Sequence, residues 1–131
     1  MIRLSHNVVL ERHNFLLNTI YQYGYAYLVL YDGPIPSSTL DEPEGRVICT
    51  ATTSGGYVPV TEVAESVIPF EDALVNIDST PTFARLTTGG GTPIMDISVG
   101  DALSSEPLKY TVAEFYEGGL LKITSLVLRT A

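Results

Sequence analysis

From Tyr25 onward, short runs of β-branched and aromatic residues are cut at about ten-residue intervals by turn chemistry. The breaks are Asp32-Gly33-Pro34, Ser54-Gly55-Gly56, Pro69, Asp78-Ser79-Thr80-Pro81, Gly89-Gly90-Gly91, Gly100-Asp101 and Gly118-Gly119. Between them, residues 25–31, 46–52, 57–63, 67–68, 73–77, 82–86, 93–99, 108–115 and 120–128 read as strands. Eight or nine short strands so spaced leave few architectures open. The expected fold is mainly β, an antiparallel β-sandwich or jelly-roll-like module spanning residues 21–128, with an exposed proline-rich and acidic loop over 33–45.

The N-terminal segment has a different period. Val9, His13, Leu16, Leu17 and Ile20 recur at spacings of three and four, which predicts one amphipathic α-helix over 4–20 with Ser5 as its N-cap. A helix of roughly 15 residues is marginal alone in water, so it must dock. Tyr21, Tyr23, Tyr25 and Tyr27 then alternate as along one face of a strand. Together with Tyr31 they are expected at an internal seam between helix and sheet ahead of a subunit interface.

Two strands disclose their faces. Met95, Ile97 and Val99 point one way and Asp96 and Ser98 the other, so that strand has one wet side. Residues 121–128 become apolar on both faces toward Leu126 and Leu128, as if covered on both sides by helix, sheet or a partner subunit.

At 131 residues, 45% apolar and 17% charged, the chain suits one globular domain over 1–131. Its net charge of −8 and its singly scattered basic residues argue against nucleic acid and anionic membranes as partners. Cys49 is the lone cysteine, set in a strand-like run, and reads as a buried hydrophobe suited to a reducing compartment. With no run of 18 apolar residues and no secretory-signal pattern at the start, the expectation is a soluble protein made in the cytoplasm.

Each candidate for chemistry has a structural reading that outweighs it. His6 and His13 are seven apart on the helix, whereas helical metal pairs use spacings of three or four. Asp41-Glu42-Pro43-Glu44 lacks the ligand order of a calcium loop. Asp96, Asp101, Glu114 and Glu117 would form a glycosidase pair only at a separation that spacing along the chain does not supply. Thr88-Gly89-Gly90-Gly91-Thr92 is followed by Pro93 and a strand, where a phosphate loop requires a lysine and a helix. No G-x-S-x-G elbow occurs, and Ser5 and His6 fall on different helix faces. The expectation is a non-enzymatic protein with no cofactor and no metal.

Three segments carry a family resemblance. Tyr27-Leu28-Val29-Leu30-Tyr31-Asp32-Gly33-Pro34 is a strand ending in an Asp-Gly turn; Phe83-Ala84-Arg85-Leu86 with Ile94-Met95-Asp96-Ile97-Ser98-Val99-Gly100 forms a paired-strand hairpin; Phe115-Tyr116-Glu117-Gly118-Gly119-Leu120-Leu121-Lys122 reads as a closing hairpin. In this order they resemble small bacteriophage virion-associated β proteins, and the last is similar to the closing hairpin of capsid decoration proteins. The resemblance implies a structural component of a phage particle, a cement protein on the capsid surface that stabilises capsomer contacts. Its partners would be the major capsid protein, itself as a homotrimer, or both. Candidate contacts are Phe15 and Ile20 on the helix, Tyr23 at the junction, Ile35 and Pro36 in the loop, Thr88 and Gly90 at the glycine tip, and Leu126 and Leu128 on the last strand. Two alternatives remain: a tail, baseplate or fibre-associated protein, and a carbohydrate- or peptide-binding sandwich with Tyr57, Tyr110 or Tyr116 as a platform.

Overall fold

Helix α1 (His6–Ile20) begins where Ser5 Oγ accepts the Val8 N–H at 3.3 Å, the capping bond that leaves one fewer orphan donor in the first turn. Its buried stripe is Leu10, His13, Leu17 and Ile20, with Val9 and Leu16 half-buried on its flanks. The computed structural model describes residues 5–101, 108–111 and 118–130.

Eight strands follow: β1 (Ala26–Tyr31), β2 (Val47–Thr52), β3 (Glu65–Val67), β4 (Ala73–Leu74), β5 (Phe83–Thr88), β6 (Pro93–Asp101), β7 (Leu108–Thr111) and β8 (Leu120–Arg129). They lie in the order β2-β1-β5-β6-β7-β8-β3, and β4 shares the same edge of β8 as β3. All the pairs are antiparallel except β6 with β7, which run parallel.

This sheet curls until its ends meet. Beyond β3 the chain crosses to the free edge of β2, where Glu71 N–H donates to Thr52 O at 2.9 Å and Asn76 N–H to Ile48 O at 2.8 Å, with a bridge between Thr53 and Phe70. Strands β8 and β2 are thereby joined along part of their length, which leaves fewer unpaired strand edges. The mainly β module with one N-terminal helix is as the periodicities require; the parallel β6–β7 pair departs from the all-antiparallel expectation.

Register decides which residues fill the interior. Leu28 pairs with Leu86 and Leu30 with Ala84, and across the next ladder Leu86 pairs with Met95 and Ala84 with Ile97, so these side chains point inward as one layer. Leu17 and Ile20 of α1 join the same core. Each full burial of a Leu or Ile side chain contributes about 1.5–3 kcal/mol. The alternate positions Tyr27, Val29 and Tyr31 face outward beside Phe83, Arg85 and Asp96.

Several sequence expectations are corrected by this register. Tyr21 packs against the core at the end of α1, but Tyr23 and Tyr25 are exposed, and Tyr27 and Tyr31 do not line an internal seam, because Ala26, Leu28 and Leu30 take the inward positions of β1. Tyr25 and Tyr27 instead meet edge to face at 5.3 Å, and Tyr31 stacks on Phe83 at 5.1 Å. Residues 57–63 form no strand: Pro59 has no N–H, and the Asn14 side chain takes both the Val60 N–H (2.7 Å) and the Val60 C=O (3.0 Å). Leu126 and Leu128 are buried in this chain's own core, with β7 and β3 on either edge of β8, so they await no partner.

Candidate interaction surfaces

The loop between β1 and β2 is fastened at its base and at its tip. At the base, Asp32 accepts the Arg46 backbone N–H at 2.6 Å, Arg46 Nε at 3.0 Å and the Ser79 hydroxyl at 2.9 Å. The Arg46 backbone bond, followed by the Ser79 and Arg46 side chains, holds the Asp32 carboxyl below the usual carboxylate range despite some desolvation. The two chain ends cross at Gly33 and Gly45 so closely that a Cβ on Gly33 would overlap the Glu44 carbonyl; Gly45 also sits at φ +91°. Thr82 Oγ1 donates to the carbonyls of Tyr31 and Gly33 at this neck.

At the tip the fastening is Arg85. From the outer face of β5 its guanidinium donates to Asp96 on β6 through Nε (2.7 Å) and Nη2 (3.0 Å), and to the loop carbonyl of Asp41 through Nη1 at 2.8 Å. The arginine and the carboxylate are both nearly withdrawn from water, and the bonds that Asp96 accepts raise the arginine's pKa. Asp96 therefore lies under the loop and out of water, while Ser98 on the same face of β6 is exposed as the alternation implied. Arg85 was missed as a site residue. The signal was present, since an arginine inside the apolar run Phe83-Ala84-Arg85-Leu86 needs a partner, but its partner is named only by the strand register.

So held, the loop presents Leu40 with 93% of its surface exposed; Ile35 is also exposed and Pro36 half-buried. A cleft of about 430 Å3 beside it is lined by Pro34, Ile35 and Pro36 together with Asp41, Glu42 and Glu44. Ile35 and Pro36 thus lie together on a surface whose charge is acidic.

A second surface lies where α1 passes into β1. A Cβ on Gly89 would stand 2.9 Å from Tyr23 Cβ and 3.0 Å from Tyr25 Cε2, and one on Gly90 would stand 3.1 Å from the Tyr23 hydroxyl. The glycine tip of the β5–β6 hairpin is bare because the tyrosines rest on it. Tyr23 and Gly90 are therefore brought together, and Phe15, 74% exposed, stands on the outer side of α1. Ile20 and Thr88 are not surface contacts: Ile20 is core, and buried Thr88 accepts the Thr92 N–H at 3.2 Å to close the hairpin.

The groups best suited to chemistry are occupied by the fold. His13 is buried with Nδ1 2.9 Å from Thr130 Oγ1 and Nε2 2.8 Å from Ser66 Oγ, and burial lowers its pKa from 6.5. His6 is exposed at the start of α1. Cys49 is buried, its thiol pushed up to about 12 by desolvation, so little thiolate forms near neutrality. Among the described residues no group of three or more His, Cys, Asp or Glu gathers as a metal site, and no helix is long and apolar enough to cross a membrane. Glu114, Tyr116 and Glu117 lie outside the described residues, as do the side chains of Asp101 and Tyr110.

Compared with models of known protein families, with curated proteins and with solved structures, the chain matches none.

Proposed function

We propose that this chain is a structural component of a bacteriophage particle, a decoration protein that binds the outer capsid surface and ties neighbouring capsomers. The observation that carries the assembly reading is the doubly fastened loop, in which a buried Arg85–Asp96 pair holds an exposed Leu40 and Ile35 in place before any partner arrives. Ordering the surface in the free protein lowers the conformational cost of association. Supporting it, His13, Cys49, Arg85 and Asp96 are all engaged in structure, while Phe15, Tyr23 and Leu40 are offered to solvent. The particle itself enters through the three sequence segments that resemble virion-associated β proteins.

Closed symmetric placement lets weak contacts add, so a cement protein is expected in roughly hundreds of copies per particle and a tail component in about a dozen or fewer. Quantitative mass spectrometry of purified virions, with imaging of the shell, tests this directly. Surface density at capsomer junctions is the expected result. A count of a dozen or fewer would move the protein to the tail, and its absence from purified particles would end the virion reading.

A further inference from the structure

The seam that closes the sheet is incomplete at one end. Phe70 to Asn76 reaches β2, but β3 does not: beyond Thr53 the chain turns away through Gly55 and Gly56, and a cleft of about 420 Å3 opens between this stretch and β3. Val58 and Pro59 line one wall, Val67 and Ile68 the other, and Leu17 of α1 and Tyr21 just beyond it contribute to the lining.

The backbone of β3 faces this cleft with unused hydrogen-bonding groups. Thr130 N–H donates to Ala64 O at 3.0 Å and Ile68 N–H to Leu126 O at 2.9 Å, with Ser66 opposite Leu128 between them. In an antiparallel ladder the bonded positions alternate, so residues 64, 66 and 68 turn toward β8, and the N–H and C=O groups of Glu65 and Val67 turn away from it. Among the described residues β3 is the last strand in its order, and no partner takes those groups. The chain cannot fill the gap from its own neighbouring segment, because Asn14 holds Val60 by both backbone groups and Pro59 lacks a donor.

We propose that the outer edge of β3 is a strand-acceptor site, which takes an extended peptide segment of a partner protein into the open seam. Unpaired backbone groups at a strand edge specify an extended chain and no other ligand shape. The walls specify its sequence character: alternate side chains turned inward, beside Leu17, Tyr21 and Ile68, are apolar. Those turned outward lie on the exposed face that Glu65 and Val67 share, where Glu65 already pairs with Arg129 at 3.0 Å; the net charge of −8 makes neutral or basic residues suitable there. Val67, 63% exposed, is the position most changed by such an occupant. The inference stands without the particle reading, since the open edge belongs to the single chain.

The test uses the full chain and a synthetic library of heptapeptides in which Val, Ile, Leu or Phe alternates with Thr, Ser or Lys, with binding read by fluorescence anisotropy. Members of the library bind the wild-type chain, and methylating the alternate peptide amides that would face β3 weakens binding at least tenfold. Val67→Pro removes an N–H that points away from β8, a change that edge strands tolerate, and it weakens binding at least tenfold in protein whose circular dichroism is unchanged. If Val67→Pro fails to fold, the methylated peptides on wild type decide alone. Failure of every library member to bind, equal binding of methylated peptides, or undiminished binding by folded Val67→Pro would overturn the proposal. Self-association of the chain that Val67→Pro abolishes would also overturn it, by making a second copy the occupant.

Discussion

Arg85 and Asp96 are register partners on adjacent strands, and the arginine meets the carboxylate with two prongs at 2.7 Å and 3.0 Å while a third nitrogen reaches across to the Asp41 carbonyl at 2.8 Å. One side chain thus joins two strands of the sheet to the loop that covers them. Breaking such a pair leaves the survivor charged and buried, which costs more than the pair contributes.

Asp96→Ala should accordingly lower the free energy of unfolding by about 3–5 kcal/mol, measured by urea denaturation. It should also loosen the loop, seen as faster amide exchange at Leu40 and Asp41 with β1 and β2 still protected. A double change, Arg85→Met with Asp96→Leu, removes both charges and should recover most of the stability while leaving the loop loose. Slow exchange at Leu40 in the double variant would contradict the role given to the arginine.

Why Arg85 escaped the sequence reading while the strands did not has a physical explanation. Strands announce themselves locally: Ala26-Tyr27-Leu28-Val29-Leu30-Tyr31 has the composition, the alternation and the turn after it within a few residues. The meaning of Asp96 depends on a loop more than 50 residues earlier, whose carbonyl carries no sequence signature at all. The same limit misplaced the tyrosines: alternation shows that Tyr25 and Tyr27 share a face but not which face turns inward. Residues 57–63 looked like a strand because Val58, Val60 and Val63 favour one; Pro59 was a local signal against it, while the withdrawal of Val60 from pairing came from the distant Asn14. Helix α1 was legible from its spacing and from Ser5, both local.

The loop's base should open in acid. Hydrogen bonds from Arg46 and Ser79 depress the Asp32 pKa in the folded chain, so the unfolded state binds the proton more readily. The contribution of Asp32 is therefore fully present above its unfolded value of 3.8 and is lost as pH falls through the lower folded value. The amide resonance of Arg46 should titrate in that acid range in the wild type and stay flat in Asp32→Asn; identical curves would rule the clasp out.

Cys49 should serve as a reporter of global opening. Buried between inward-facing residues of β2, with its thiol near 12, it should resist a thiol reagent at pH 8 in the native state. Labelling should reach the free-thiol rate only in denaturant, with a midpoint matching that of circular dichroism. Fast labelling of native protein would show that β2 opens independently of the rest.

The helix should be held less firmly as pH falls through the range of histidine. His13 joins α1 to Ser66 on β3 and to Thr130 just beyond β8, and Glu65 and Arg129, the charged neighbours on those strands, pair with each other at 3.0 Å. Burial disfavours the imidazolium, so the folded pKa lies below 6.5 and the unfolded chain takes up the proton first. Stability from this residue is therefore complete above pH 6.5, declines as pH drops toward the folded pKa, and levels off beneath it. His13→Gln cannot titrate and should flatten that part of the stability profile, whereas His13→Ala, which strands two hydroxyls, should cost about 1–3 kcal/mol at neutral pH. Urea midpoints measured from pH 8 to pH 5 would separate these outcomes, and a Gln variant that kept the wild-type slope would place the titrating group elsewhere.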